Sequence, residues 1–240
     1  MRHPNLAIFD IDGTIIDHEN ASRIALEEVR THVVEFSNLK FQELSNLWAS
    51  DFSRLWKDVI NGKSSIEANR IQRFGSILEK TGHGGLHDVA IKAAALYGET
   101  YDGHISAVDG ADELLRTVKY LKIPIALLTN NVSKNQKAKL EKAGLSELYD
   151  FMLTPEETGL TKPDREIFNS VLREFGCAPN SAVMVGNSFE EDVAGAYQSG
   201  IKPVWFNRFG YQKPDTSIQF AEISTYIPVD DALKTIFSGF

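Results

Sequence analysis

Two aspartates stand directly after the first apolar segment of the chain, where their spacing suggests chemistry. Leu6–Phe9 is followed by Asp10 and Asp12, then by Gly13 and Thr14. Four apolar residues are too few for a helix and predict a strand buried on both faces of a parallel sheet. Carboxylates so close to a buried strand need a compensating metal ion or basic side chain. The simpler alternative is an ordinary turn at Asp12-Gly13, with Asp10 as a helix cap.

Other polar side chains stand in comparable places further along the chain. Thr129 follows a strand predicted over Ile123–Leu128, and Asn187 comes shortly after a strand predicted over Ala182–Val185. Lys162 precedes a helix in the loop beyond a third short strand. Ligands of doubly wound sheets bind beyond the carboxyl ends of the strands. We therefore expect these side chains to meet the two aspartates at one edge of the sheet.

This combination of groups suits phosphoryl transfer. Lys162 can neutralise one phosphate oxygen while the Thr129 hydroxyl donates to another. An oxygen-rich site with few protein ligands suits Mg2+, which keeps several waters and shares oxygens with a phosphate. Asp10 can then attack phosphorus to give an aspartyl-phosphate, and Asp12 can protonate the leaving oxygen and later activate water. Taken singly, each residue is equally well explained as a cap or a solvated side chain.

The elements that must position these groups form two blocks. Apolar residues recur at helical spacing between residues 17 and 100, whereas strands and helices alternate after that block. Alternation of this kind predicts an α/β fold with a doubly wound parallel sheet, so we expect a core domain at 1–16 and 101–240. Residues 17–100 are expected to be an inserted all-helical domain. Its predicted helices are Ala21–Phe36, Phe41–Ile60, Ile66–Leu78 and His87–Tyr97.

Composition excludes several classes of protein. The 240 residues are 42% hydrophobic and 24% charged, as in ordinary globular proteins. A formal net charge of −8 argues against nucleic-acid binding, and no apolar run is long enough to cross a membrane. The single cysteine, Cys177, allows no internal disulfide. The first residues lead straight into a strand, so we expect no signal peptide and a cytoplasmic location. We also expect a monomer or homodimer.

The clusters together resemble the motifs of the haloacid dehalogenase superfamily, specifically its phosphatases with a helical cap of the C1 type. Asp10-Ile11-Asp12-Gly13-Thr14 is similar to the first motif and Leu128-Thr129-Asn130 to the second. Lys162-Pro163-Asp164 is similar to the third, and the segment 183–192 to the fourth. The motifs occur in the family's order over most of the chain. The resemblance implies a Rossmann-like core and hydrolysis of a small phosphorylated metabolite, a nucleoside 5′-monophosphate being one candidate.

The resemblance also implies roles for individual residues. Asp10 would be the nucleophile and Asp12 the acid and base. Thr129, Asn130 and Lys162 would bind substrate. Mg2+ would be held by the Asp10 carboxylate, the backbone carbonyl of Asp12 and the fourth motif. In that motif Asn187 replaces the usual aspartate, which removes one negative charge, and Asp192 can supply a carboxylate directly or through water.

Asp12 itself favours phosphate esters, because a dehalogenase needs no acid at that position. The pairs Leu55-Trp56, Asn61-Gly62 and Arg73-Phe74 resemble the branch of pyrimidine 5′-nucleotidases and N-acylneuraminate-9-phosphatases. Arg73 or Trp56 is a candidate contact to the leaving group, and a purely structural role in the cap is the alternative. Two alternative functions remain open: a sugar-phosphate mutase of the same fold, and a phosphate-ligand binder with weak or no turnover, which Asn187 would favour.

Overall fold

The computed structural model describes residues 3–240. Met1 and Arg2, which contributed to the expectation of no signal peptide, lie outside the described residues. A six-stranded parallel sheet has the order β3-β2-β1-β4-β5-β6. Its strands are β1 Leu6–Phe9, β2 Ile125–Leu128, β3 Phe151–Leu153, β4 Ala182–Gly186, β5 Lys202–Phe206 and β6 Ala221–Ile223. The prediction of a doubly wound parallel sheet is confirmed.

Helices alternate with these strands. They are α6 Ala111–Tyr120, α7 Ser133–Lys142, α8 Pro155–Thr158, α9 Arg165–Glu174, α10 Gly195–Gln198 and α11 Val229–Ile236, with a π-helical turn at Phe189–Ala194. The strands β1, β2 and β4 are buried along their whole length, because helices cover the apolar faces of the sheet. Among the described residues no helix is both long and apolar enough to span a lipid bilayer.

The strand order and register decide which side chains meet at the carboxyl edge. Phe9, the last residue of β1, pairs with Leu127 on one side and Val185 on the other. Asp10 therefore emerges between the ends of β2 and β4. Those ends carry Thr129 and Asn187, so the central position of β1 places the polar residues of three strands side by side.

The chain divides into two compact units, Met1–Asp17 with Ser106–Phe240, and His18–Ile105. The second unit contains α1 His18–His32, α2 Phe41–Ser50, α3 Phe52–Ile60, α4 Ile66–Lys80 and α5 His87–Gly103, with a 3-10 turn at Val34–Phe36. The Ser65 hydroxyl accepts a hydrogen bond from the Ala68 N–H at 3.0 Å and caps α4.

All four helices predicted in this unit have different bounds in the structure, and the first begins at His18 and the third ends at Lys80. The first helix ends at His32 and not at Phe36, because the chain tightens into the 3-10 turn at Val34–Phe36. The single helix predicted over Phe41–Ile60 is divided at Asp51. The Asp51 carboxylate accepts hydrogen bonds from Ser76 at 2.6 Å and Lys80 at 2.7 Å, and these contacts from α4 hold the junction. The last helix continues to Gly103, so the unit ends later than the expected residue 100.

In the other unit, the sequence pattern after β4 predicts one helix over Glu190–Gln198, and the structure has a π-helical turn followed by a short α-helix there. The sequence pattern predicts the last strand at Ser224–Ile227, whereas the structure has it at Ala221–Ile223, where it pairs with Trp205 and Phe206 of β5. The π turn carries Asp192, one of the predicted metal ligands.

Candidate active site

Asp10 is fixed at the sheet edge by backbone and side-chain contacts. Its backbone N–H donates to the Val185 carbonyl at 2.9 Å, which continues the ladder between β1 and β4. Its Oδ2 accepts a hydrogen bond from the Thr14 hydroxyl at 2.9 Å. The same hydroxyl accepts from the backbone N–H of Asn187 at 3.1 Å. Thr14 thus connects the loops after β1 and β4. The sequence analysis places Thr14 in the first motif but does not predict this contact.

Lys162 lies between two carboxylates. Its Nζ is 2.7 Å from Asp10 Oδ1 and 2.6 Å from Asp192 Oδ1, and all three side chains are nearly inaccessible to solvent. The Lys162 backbone is held by Asn130, whose amide accepts from the Lys162 N–H at 2.7 Å and donates to its carbonyl at 2.9 Å. The structure therefore brings Lys162 to Asp10 as predicted, and it places Asn130 as the residue that fixes the lysine backbone.

The electrostatics of this cluster favour binding of a cation. Burial raises the pKa of the Asp10 carboxyl to about 6, against the opposing effect of Lys162, and the neighbouring Asp192 adds to the rise. Burial also raises the pKa of Asp192. For Lys162, burial disfavours the charged form, but the two carboxylates outweigh it and raise the pKa of the amine. Two buried carboxylates against one ammonium leave an excess of negative charge.

Asp12 belongs to a second polar cluster, which it forms with Asn131 and with two side chains of α7. Lys139 Nζ lies 2.5 Å from Asp12 Oδ1, and Oδ2 accepts hydrogen bonds from the side chains of Gln136 and Asn131 at 2.9 Å each. Lys139 and Gln136 are buried. Gln136 also donates to the Thr129 hydroxyl at 2.8 Å. This cluster neutralises the Asp12 carboxylate and fixes its orientation. Through Gln136 it also connects Asp12, the predicted acid and base, to Thr129, the predicted hydrogen-bond donor to the phosphate.

Sequence reasoning missed Lys139 and Gln136 because α7 reads as a polar surface helix. A signal was present, however. Gln136 and Lys139 are three residues apart and precede Leu140, so they share the buried face of that helix. Polar residues on a buried helix face beside a chemically active strand end are candidates for a site.

The donor set fits Mg2+ by chemical type. Asp10, Asp192 and Asn187 offer carboxylate and amide oxygens, and the backbone carbonyl of Asp12 lies in the same loop as Asp10. Within residues 3–240 no three carboxylate, imidazole or thiol side chains form a closed metal cage. Mg2+ does not require one, since it keeps several waters and shares oxygens with a substrate phosphate. The excess negative charge around Asp10 is the structural observation that a cation would compensate.

Arg73 lies in the helical unit and is buried. Its Nε and Nη2 both donate to the Trp48 carbonyl, and its guanidinium stands 3.4 Å from the centroid of the Trp48 ring. The other candidate for a leaving-group contact, Trp56, is half-buried and stacks on Phe52 with centroids 5.3 Å apart.

A model of the haloacid dehalogenase-like hydrolases matches residues 4–200. The chain belongs to this family. The prediction of the haloacid dehalogenase superfamily, and of an enzyme of the hydrolase class, is thereby confirmed.

Relatives of this haloacid dehalogenase-like hydrolase include named phosphatases. A ribulose-1,5-bisphosphate 5-phosphatase of Halopiger xanaduensis is 30% identical over 83% of each chain. The pyrimidine 5′-nucleotidase YjjG of Escherichia coli is 30% identical over 67% of this chain and 69% of its own. The crystal structure of YfnB from Bacillus subtilis, bound to magnesium, matches with a TM-score of 0.74 at 22% identity, covering 97% of this chain and 99% of that one. The last similarity shows the shared fold.

One glycine of this hydrolase is required by the position of Asp192. A Cβ at Gly186 would lie 2.3 Å from Asp192 Cγ, well inside van der Waals contact. We expect Gly186→Ala to lower the free energy of unfolding by about 1–3 kcal/mol, because the buried carboxylate must move away from Lys162. Chemical denaturation measures the change. Gly75→Ala on α4 is the matched control, because the added Cβ would meet nothing within 4 Å. This substitution should stabilise the protein slightly, since alanine has the higher helix propensity. An equal loss in both variants would contradict the prediction.

Proposed function

We propose that this protein is a Mg2+-dependent phosphomonoesterase that hydrolyses a small phosphorylated metabolite through an aspartyl-phosphate on Asp10. The observation that carries the proposal is the contact of Lys162 Nζ with Asp10 Oδ1 at 2.7 Å, at a sheet edge where Asp12 lies two residues away. A nucleophilic carboxylate, a second carboxylate and a buried ammonium are the groups that transfer of a phosphoryl group requires.

The first step is attack of an Asp10 carboxylate oxygen on phosphorus. The bond between phosphorus and the ester oxygen breaks, and the leaving oxygen takes a proton from the Asp12 carboxyl group. Lys162 attracts the phosphoryl oxygens and keeps its position through the backbone contacts with Asn130. The Thr129 hydroxyl, oriented by Gln136, is the other proposed donor to the phosphoryl group.

The second step is hydrolysis of the aspartyl-phosphate. The Asp12 carboxylate removes a proton from water, the water oxygen attacks phosphorus, and the bond between phosphorus and the Asp10 oxygen breaks to release inorganic phosphate. The observed contacts of Asp12 with Lys139, Gln136 and Asn131 suit this step, because they hold the carboxylate that accepts the proton in a fixed orientation. Mg2+, held by Asp10, the Asp12 carbonyl, Asn187 and Asp192, would reduce the repulsion between an anionic nucleophile and an anionic ester.

The proposed substrate class is small phosphorylated metabolites. The named relatives act on a sugar bisphosphate and on pyrimidine nucleotides, which supports a phosphate ester without selecting one compound. A nucleoside 5′-monophosphate remains one candidate, and a panel of phosphorylated metabolites would identify the preferred ester.

The test is release of inorganic phosphate from para-nitrophenyl phosphate with Mg2+ and with EDTA. Turnover in Mg2+ that EDTA and Asp10→Asn both abolish would support the proposal. Binding of phosphate compounds without turnover would instead indicate a ligand binder, as the asparagine at position 187 allows. An isomerised sugar phosphate without free phosphate would indicate a mutase. Full turnover by Asp10→Asn would contradict the assigned nucleophile.

A further inference from the structure

The indole of Trp205 contacts the backbone of the loop that follows β4. Trp205 lies on β5 and pairs in register with Gly186, the last residue of β4, so its side chain stands beside Asn187. Its Nε1–H donates a hydrogen bond to the Asn187 carbonyl at 3.0 Å. Trp205 is 3% exposed, and a buried indole N–H is costly without an acceptor. The contact therefore joins β5 to the residue that replaces the usual aspartate of the fourth motif.

The two peptide groups that flank Asn187 are held by three side chains. The Asn187 N–H donates to the Thr14 hydroxyl at 3.1 Å, and that hydroxyl donates to Asp10 Oδ2 at 2.9 Å. The Asn187 carbonyl accepts from Trp205, and the next N–H along the chain donates to Asp192 Oδ2 at 2.9 Å. Trp205 thus belongs to one hydrogen-bonded network with three residues that are proposed to hold Mg2+, namely Asp10, Asn187 and Asp192.

Trp205 is itself held by a cluster of rings. Its ring centroid lies 5.4 Å from that of Phe189 and 6.1 Å from that of Phe220, and the Phe189 and Phe220 centroids are 5.2 Å apart. All three pairs are edge-to-face, which is a preferred arrangement of aromatic pairs. Phe189 is also the first residue of the π turn that carries Asp192. The cluster therefore restricts rotation of the indole and keeps its N–H directed at the Asn187 carbonyl.

We propose that Trp205 is a positioning residue for the Mg2+ site, because its indole N–H fixes the Asn187 carbonyl and with it the orientation of the Asn187 side chain. The inference rests on the proposed function, in which Asn187 holds Mg2+. This ion demands near-ideal geometry of its ligands. A neutral amide attracts it less strongly than the carboxylate that is usual at this position, so the orientation of the Asn187 oxygen has to be set beforehand.

The substitution Trp205→Phe tests the proposal, because it keeps an aromatic ring in the cluster and removes the N–H donor. Mg2+ binding to the full-length protein is measured by calorimetry without substrate. We expect the Kd for Mg2+ to rise by at least about tenfold, the size typical of residues that orient a metal ligand. In phosphate release, the Mg2+ concentration for half-maximal activity should rise by a similar factor. KM for para-nitrophenyl phosphate at saturating Mg2+ should stay unchanged.

Phe220→Leu is the matched control. It removes one ring from the same cluster and leaves the indole N–H in place, so a role confined to packing would affect both variants alike. Both substitutions should lower the midpoint of urea denaturation, whereas only Trp205→Phe should weaken Mg2+ binding. Equal Mg2+ affinities of Trp205→Phe and the unmodified protein would overturn the proposal. Equal weakening in Trp205→Phe and Phe220→Leu would overturn it as well.

A second measurement uses the unmodified protein and decides the matter even where Trp205→Phe fails to fold. The chain has three tryptophans, and the indole N–H signal of Trp205 in a 1H–15N spectrum is assigned by its proximity to the rings of Phe189 and Phe220. We expect Mg2+ to shift this signal, since the carbonyl that the indole contacts belongs to a proposed ligand. A Trp205 signal that stays in place at saturating Mg2+, or a protein that binds no Mg2+, would overturn the proposal.

The outcomes for Trp205 and for the proposed function are separable. Phosphate release with Mg2+, together with an unchanged Mg2+ affinity in Trp205→Phe, would retain the phosphatase and remove the positioning role. Mg2+ binding that depends on Trp205, without release of phosphate from a panel of esters, would retain the positioning role and remove the phosphatase assignment.

Discussion

Replacing Lys162 with methionine is expected to abolish phosphate release and to lower the free energy of unfolding by about 3–5 kcal/mol. The ammonium is the basic partner of two buried carboxylates, at 2.7 Å from Asp10 and 2.6 Å from Asp192. Its removal leaves two like charges close together on side chains that are almost completely buried. Methionine has a similar length and no charge, so the change isolates electrostatics from volume. Urea denaturation and para-nitrophenyl phosphate hydrolysis measure the two effects.

Lys234→Met is the matched control for this prediction. Lys234 forms an ion pair of nearly the same length, 2.8 Å to Asp231, but both side chains are exposed. Its removal should change the free energy of unfolding by about 1 kcal/mol or less, because water screens the pair. The double variant Lys162→Met/Asp192→Asn should regain part of the lost stability without regaining activity. Equal destabilisation by Lys162→Met and Lys234→Met would contradict a buried, charge-coupled role for Lys162.

The positions of the aspartates and the lysine could be predicted from the sequence because each follows from strand geometry. Apolar segments followed by polar residues mark strand ends, and parallel strands direct their carboxyl ends to one edge. The contact between Asp10 and Lys162 joins residues 152 positions apart, yet it requires only that the two loops follow strands of one sheet. The prediction therefore did not depend on side-chain detail.

The position of Asp192 depends on a local backbone feature that helical periodicity does not reveal. The sequence after β4 predicts a regular helix, but the chain forms a π turn at Phe189–Ala194. Wider turns of this type are frequent at functional sites because they redirect one side chain. Here Ser188 N–H donates to Asp192 Oδ2 at 2.9 Å while Oδ1 faces Lys162, so tertiary contacts accompany the irregular turn. The helix propensities of these residues do not predict a π turn in place of a regular helix.

The break at Asp51 has a similar explanation. Asp51 is a weak helix former, but the apolar pattern continues on both sides of it, so the sequence predicts one helix. The division into α2 and α3 is supported by Ser76 and Lys80, which belong to a helix formed later in the chain. Helix existence was predictable from periodicity, whereas the division required a contact over 25 residues.

Replacing Lys139 with methionine is expected to reduce kcat for phosphate release by about 10–100-fold, the size expected for impaired acid–base catalysis. Lys139 Nζ contacts Asp12 Oδ1 at 2.5 Å, while Asn131 and Gln136 hold the other oxygen. Without the lysine, one Asp12 oxygen loses its charged partner and the carboxylate can rotate away from the leaving oxygen. In the proposed mechanism Lys139 acts on Asp12 and not on the phosphoryl group. KM should therefore change much less than kcat, and steady-state kinetics with para-nitrophenyl phosphate separates the two.

Lys137→Met on the same helix provides the control, because Lys137 is exposed and the same loss of charge occurs outside the cluster. It should leave kcat unchanged. Lys139→Arg keeps a positive charge near Asp12 and should restore part of the rate, which a role confined to packing of α7 would not predict. A rise in KM at constant kcat would instead place Lys139 in substrate binding. Because Gln136 links Asp12 to Thr129, Gln136→Leu combined with Lys139→Met should lower kcat by less than the product of the single effects, as expected for side chains that act on one carboxylate.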